Sequence, residues 1–217
     1  MRSSITRIGL LILVSASLTA CESAYYSALE TVGVHKRDLL VSNVEDAMEA
    51  QEDAKVEFED ALEQFASVVD IEPSELQDAY ESLNDAFEDA ETRAKAVSSR
   101  IDAVEDVSED LFDEWREEAG QISNARLRSS SLEQLRASER KYDALIKSMR
   151  KAEGSMQPVL TAFRDHVLYL KHNLNARAIA SLEGELGSIE DDVGVLVRDM
   201  EASISQAQSF IEEMELL

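Results

Sequence analysis

Apolar residues recur along most of this chain in alternating steps of four and three, the spacing that aligns side chains on one face of an α-helix. The clearest stripe is Leu40, Val44, Ala47, Gln51, Ala54, Phe58, Ala61, Phe65 and Val68, inside a helix predicted from about Tyr25 to Val69. Asp70-Ile71-Glu72-Pro73 ends it. Ser74 and Gln77 then have the spacing of a capping box, in which each side chain bonds the other residue's backbone amide. A second stripe follows at Leu76, Tyr80, Leu83, Phe87, Ala90, Ala94, Val97, Ile101, Val104, Ser108, Leu111, Trp115, Glu118 and Ile122. Ser130 and Glu133 repeat the capping-box spacing. The third stripe runs through Leu132, Leu135, Tyr142, Leu145 and Met149. Gly154 and Pro158 interrupt it, so a kink or brief break is expected there. It resumes at Leu160, Phe163, Val167, Leu170 and Leu174, until Asn173 and Asn175 mark a turn. The fourth is Ile179, Leu182, Leu186, Ile189, Val193, Leu196, Met200, Ala207, Phe210 and Met214.

These stripes predict an all-α fold. Short connections make consecutive helices antiparallel neighbours, so the expected architecture is one elongated antiparallel bundle of three to four long helices with coiled-coil-like seams. Composition agrees: apolar residues make up 44 % of the chain, enough for a core, with only two prolines and seven glycines. Met149, Met156, Met200 and Met214 read as core filler, as do Trp115, Phe58, Phe65, Phe87 and Phe163.

Charge sorts along the chain. Residues 45–120 hold 27 acids and 5 bases, residues 121–177 hold 5 acids and 11 bases, and residues 178–217 hold 10 acids and 1 base. A basic third helix between acidic neighbours would fix pairing and register. The net charge of −24 repels phosphate backbones and anionic lipid head groups alike, so no nucleic-acid partner is expected.

The first residues follow another pattern. Arg2 and Arg7 precede the apolar run Ile8–Val14 and the small residues Ser15-Ala16-Ser17. That order is a signal peptide, and the run falls short of the roughly 20 apolar residues needed to span a bilayer. Leu18-Thr19-Ala20-Cys21 resembles the lipobox of bacterial lipoproteins. The resemblance implies cleavage after Ala20, diacylglycerol on the sulfur of Cys21 and an acyl chain such as palmitate on its amine. Cys21 is the one cysteine, so no intrachain disulfide is available. Residues 1–20 are then a leader and residues 21–217 a single helical-bundle domain. The same resemblance implies, by enteric-type sorting in which Asp after the cysteine favours the inner membrane, that Glu22 favours the outer one. Tyr25 and Tyr26 suit either a membrane interface or helix packing.

No catalytic constellation stands out. The Glu-x-x-His pair of a di-iron bundle is missing, since Val32, Phe163 and Tyr169 stand three residues before His35, His166 and His172. Acid pairs such as Glu59-Asp60, Glu88-Asp89 and Asp191-Asp192 fall on solvated faces. The chain is therefore expected to be no enzyme and to need no cofactor or metal. One region differs from the rest: Arg164, Asp165, His166, Lys171, His172, Asn173, Asn175 and Arg177 flank the last turn. Either they cap helix ends, or they recognise a partner or an anionic group. His166 and His172 lie six residues apart, about 240° around a helix at ~100° per residue, which argues against a shared metal.

The stretch Met156–Leu182, together with Val34-His35-Lys36-Arg37-Asp38, resembles a Gram-negative lipoprotein family, domain of unknown function 2959, over nearly the whole mature chain. The resemblance implies a helical envelope protein and no reaction. The expected role is a non-enzymatic scaffold or interaction module, held to the membrane by lipid on Cys21 and facing the periplasm. It would meet a protein partner through Arg164, His166, Lys171, His172, Asn173, Asn175 and Arg177. The alternative is a ligand- or metal-binding bundle using residues 164–177. The oligomeric state stays open, self-association through the seams included.

Overall fold

The computed structural model describes residues 36–69, 71–72 and 74–215. Cys21, Tyr25, Tyr26 and His35, with the expected leader, lie outside the described residues. Four helices account for nearly all of the rest: α1 Lys36–Val69, α2 Leu76–Gln121, α3 Ala125–His172 and α4 Ala176–Glu215. Each packs against its neighbours in the order α1, α2, α3, α4 and back to α1. Short turns join them, so the chain runs up, down, up and down around one core.

The first stripe is buried in full: all nine residues from Leu40 to Val68, Gln51 among them, have no exposed surface. The four methionines read as filler are buried too. In α2 the stripe holds only in part. Leu76, Leu83, Ala90, Ala94, Val97, Ile101 and Val104 are buried, but Tyr80 and Phe87 are half-exposed. Beyond Val104 burial passes to Val107, Ser108, Phe112 and Ala119, leaving Leu111, Trp115 and Ile122 half-buried and Glu118 exposed. A helix of 3.6 residues per turn drifts about 20° per heptad against a strict 3.5 repeat, which accounts for a shift of this kind over six heptads. Leu174 sits in the α3–α4 turn with 39 % of its surface exposed.

Helix starts differ from the capping-box spacings. Glu75 stands at the α2 N-cap with no side-chain cap bond, and Gln77 Nε2 donates to Glu81 Oε1 at 2.7 Å. Glu81 is on the next turn of the same helix, an i,i+4 partner that competes with the reach back to Ser74. At α3 the cap is Asn124, whose Oδ1 accepts from the amides of Arg126 and Leu127 at 3.0 and 3.2 Å. Ser130 and Glu133 therefore lie inside the helix, one to two turns past its start. Nor does α3 break at Gly154 and Pro158; it is one helix of 48 residues. Proline removes a single amide from the ladder. Met156, Val159 and Leu160 are buried on either side of it and hold the helix in place.

The basic helix α3 does sit between acidic α2 and α4. Arg150 reaches Asp102 at 2.6 Å and also pairs with Glu105, while Lys151 and Lys141 reach Asp199 and Glu213 at 2.6 Å each. Arg150 is held above its ordinary pKa, chiefly by hydrogen bonding to Glu105. Lys141–Glu213 is exposed and Arg150 half-buried, while the Asp199 side chain keeps only 12 % of its surface; exposed contacts of this kind contribute ~0–1 kcal/mol apiece, so they select the neighbour more than they stabilise it.

The bundle's two ends are unequal. The α1–α2 and α3–α4 turns share one end. The other holds the start of α1, the α2–α3 turn and the end of α4. There Lys36 Nζ meets Glu114 of α2 at 3.0 Å. Seven residues of α2 follow Glu114 before the helix stops at Gln121. At ~1.5 Å per residue, they carry the α2–α3 turn on the order of 10 Å past the described start of α1.

Candidate functional site

The polar residues near the last turn gather at the end of the bundle opposite Lys36. Two of them terminate helices. The backbone amide of Asn173 donates to the Leu170 carbonyl, and its Nδ2 donates to the Tyr169 carbonyl, both at 2.9 Å. These bonds satisfy carbonyls that a helix end leaves open. Asn175 Oδ1 accepts from the Arg177 amide at 3.0 Å and caps the start of α4. The asparagines are thus occupied by the turn itself.

His166 is half-buried two turns earlier. Its ring meets Phe65 of α1 edge-on, with centroids 5.0 Å apart and planes at 68°. Burial lowers its pKa below the ordinary 6.5, against an opposite pull from Glu185 and Asp165. Neutral imidazole packed on a core phenyl is structural in character. His172 is exposed, so the two histidines do not share an environment. Among the described residues no three His, Cys, Asp or Glu side chains gather as metal ligands would.

What remains open to solvent is of mixed charge: Asp165 is exposed beside the bases of this turn, and Glu72, Glu75 and Asp78 of the α1–α2 turn are exposed at the same end. Arg164 is exposed, with Nε 3.9 Å from the Asp165 carboxylate. Lys171 and Arg177 are exposed and form no ion pair with a described residue. The surface can present these charges to an acidic partner, with His172 beside them.

A second cationic feature escaped the seam-based reading. Asn124 caps α3 at the opposite end, and Arg126, Leu127 and Arg128 follow it. Leu127 is 60 % exposed. The signal was available as a run without acids from Ala119 to Leu132, in a chain that holds 45 of them.

A family model described as Protein of unknown function (DUF2959) matches residues 25–214. Neither the curated proteins nor the solved structures contain a match to the chain.

Proposed function

The chain belongs to the DUF2959 family, and on that premise we propose that it is a lipid-anchored, non-enzymatic scaffold of the bacterial cell envelope. Lipid on Cys21 holds it to the membrane, the outer membrane in preference to the inner, and the bundle faces the periplasm. The observation that carries this reading is the placement of the two ends. The described part of α1 begins at Lys36, fifteen positions after Cys21, whereas Arg164, Lys171 and Arg177 lie at the far end. The 34 residues of α1 separate them by ~50 Å at ~1.5 Å each. A tether at Cys21 therefore presents the α3–α4 turn, with its exposed bases, to partners away from the bilayer. No helix among the described residues is long and apolar enough to cross a membrane, so the lipid would carry the attachment.

Fractionation tests the anchor. Cys21→Ser is expected to move the protein from membranes to the soluble fraction, and a variant that still sediments contradicts the lipid assignment. Cross-linking and co-purification from detergent-solubilised membranes test the docking end. A partner captured by the natural protein is expected to be lost from Lys171→Glu/Arg177→Glu; equal capture by both would move the interface elsewhere.

A further inference from the structure

We infer that the α2–α3 turn is a second membrane contact: Arg126, Leu127 and Arg128 rest on anionic phospholipid headgroups at the foot of the bundle. The inference rests on the lipid anchor at Cys21, and it adds an orientation that the anchor alone does not impose.

Position comes first. The turn projects past the described start of α1, at the end where the chain arrives from Cys21. Fourteen residues, and so fifteen residue-to-residue steps, lie between Cys21 and Lys36. They span ~22 Å if helical and up to ~50 Å if extended. Either reach lets Cys21 lie level with the turn or beyond it.

Chemistry comes second. Leu127 exposes 60 % of its surface in the first turn of α3. Arg126 is exposed, and Arg128 is half-buried, its Nη1 donating to the Ile122 carbonyl at 3.1 Å. Neither forms an ion pair with a described residue. Arg136 and Arg140, exposed farther along the same helix, have no described ion pair either. The nearest acids are Glu117 and Glu118, about a turn back from the end of α2 at Gln121, and the exposed Glu133 of α3, five residues past Arg128. Each arginine near an anionic surface strengthens binding about 5-fold. The heavily acidic faces farther up the bundle lie mostly beyond a Debye length, ~10 Å at 0.1 M salt, and so repel the surface weakly when the bundle stands on this turn.

The test uses the full lipidated protein in vesicles. Leu127→Cys supplies a free thiol for a spin label, because Cys21 is the one native cysteine and carries lipid. Lys171→Cys marks the far end. Accessibility to a water-soluble nickel chelate is compared in phosphatidylcholine and in a phosphatidylcholine–phosphatidylglycerol mixture. The label at 127 is expected to be shielded several-fold in the anionic vesicles alone, and the label at 171 in neither. Shielding should vanish near 0.5 M salt and weaken on the order of 5-fold per residue or more in Arg126→Glu/Arg128→Glu. A label at 127 as open as that at 171 in anionic vesicles overturns the contact. So does equal shielding in both lipids, which would mean that another part of the chain or a second molecule covers Leu127. Mass spectrometry of the same sample separates the two ideas. Absence of lipid on Cys21 removes the anchor and this contact together, whereas lipid present with the 127 label in water removes the contact alone.

Discussion

Phe65→Ala tests the packing of the core and the candidate end of the bundle at once. Phe65 has no exposed surface, and its ring lies 6.3 Å from that of Phe163 and 5.0 Å from that of His166. Truncation removes the transfer free energy of the phenyl group and leaves a cavity between α1 and α3, a combined cost of about 3–5 kcal/mol. In a domain of this size 1 kcal/mol moves Tm by roughly 2–4 °C, so a fall of roughly 6–20 °C is expected in thermal melts followed by circular dichroism. The second readout is local. Burial holds the pKa of His166 below 6.5, and Phe65 supplies part of that burial. Opening the site to water should raise the pKa toward its ordinary value, as read by an NMR titration of the imidazole. A Tm loss below roughly 2 °C with an unchanged His166 titration would refute the placement of this side chain in the core.

Three further outcomes follow from single sites. Gln51 is fully buried in the first stripe, and neither its Oε1 nor its Nε2 has a protein partner among the described residues; Gln51→Leu should stabilise the bundle by about 1–3 kcal/mol in urea unfolding, and a loss would show that the amide is satisfied in solution. The folded pKa of His166 is depressed, so unfolding takes up a proton once the pH is below 6.5; its contribution to stability is complete above 6.5 and is lost as pH falls through the folded value, and His166→Phe should flatten that part of the stability–pH curve. Asn124→Ala should cost about 1 kcal/mol, while Ser130→Ala stays within about 0.5 kcal/mol; the reverse order in melts would restore the capping box at Ser130.

Different signals carried different parts of this protein. The all-α class and the first core stripe were legible because a continuous helix imposes its period on burial, and Leu40 to Val68 obey it residue by residue. Helix starts were less legible. Ser74 with Gln77 and Ser130 with Glu133 satisfy a spacing rule, yet a cap also needs a chain that is leaving the helix at that residue. Asn124 met that condition, and Ser130 was already inside the helix. Pro158 does not break α3 for a related reason, because the cost of one lost amide bond is local while the packing that opposes it comes from other helices.

By itself, then, the sequence determined the period, the polarity and the sorting of charge, all of which are properties of neighbours along the chain. Tertiary structure decided what depends on three-dimensional neighbours. It showed that the late α2 stripe drifts, so that Phe112 and Ala119 are buried where Trp115 and Glu118 were expected. It set His166 against Phe65, and it spent Asn173 and Asn175 on ending one helix and starting the next. It also separated the polar turn from the described start of α1 at Lys36 by the length of a helix, because the direction of each helix follows from how the chain folds back.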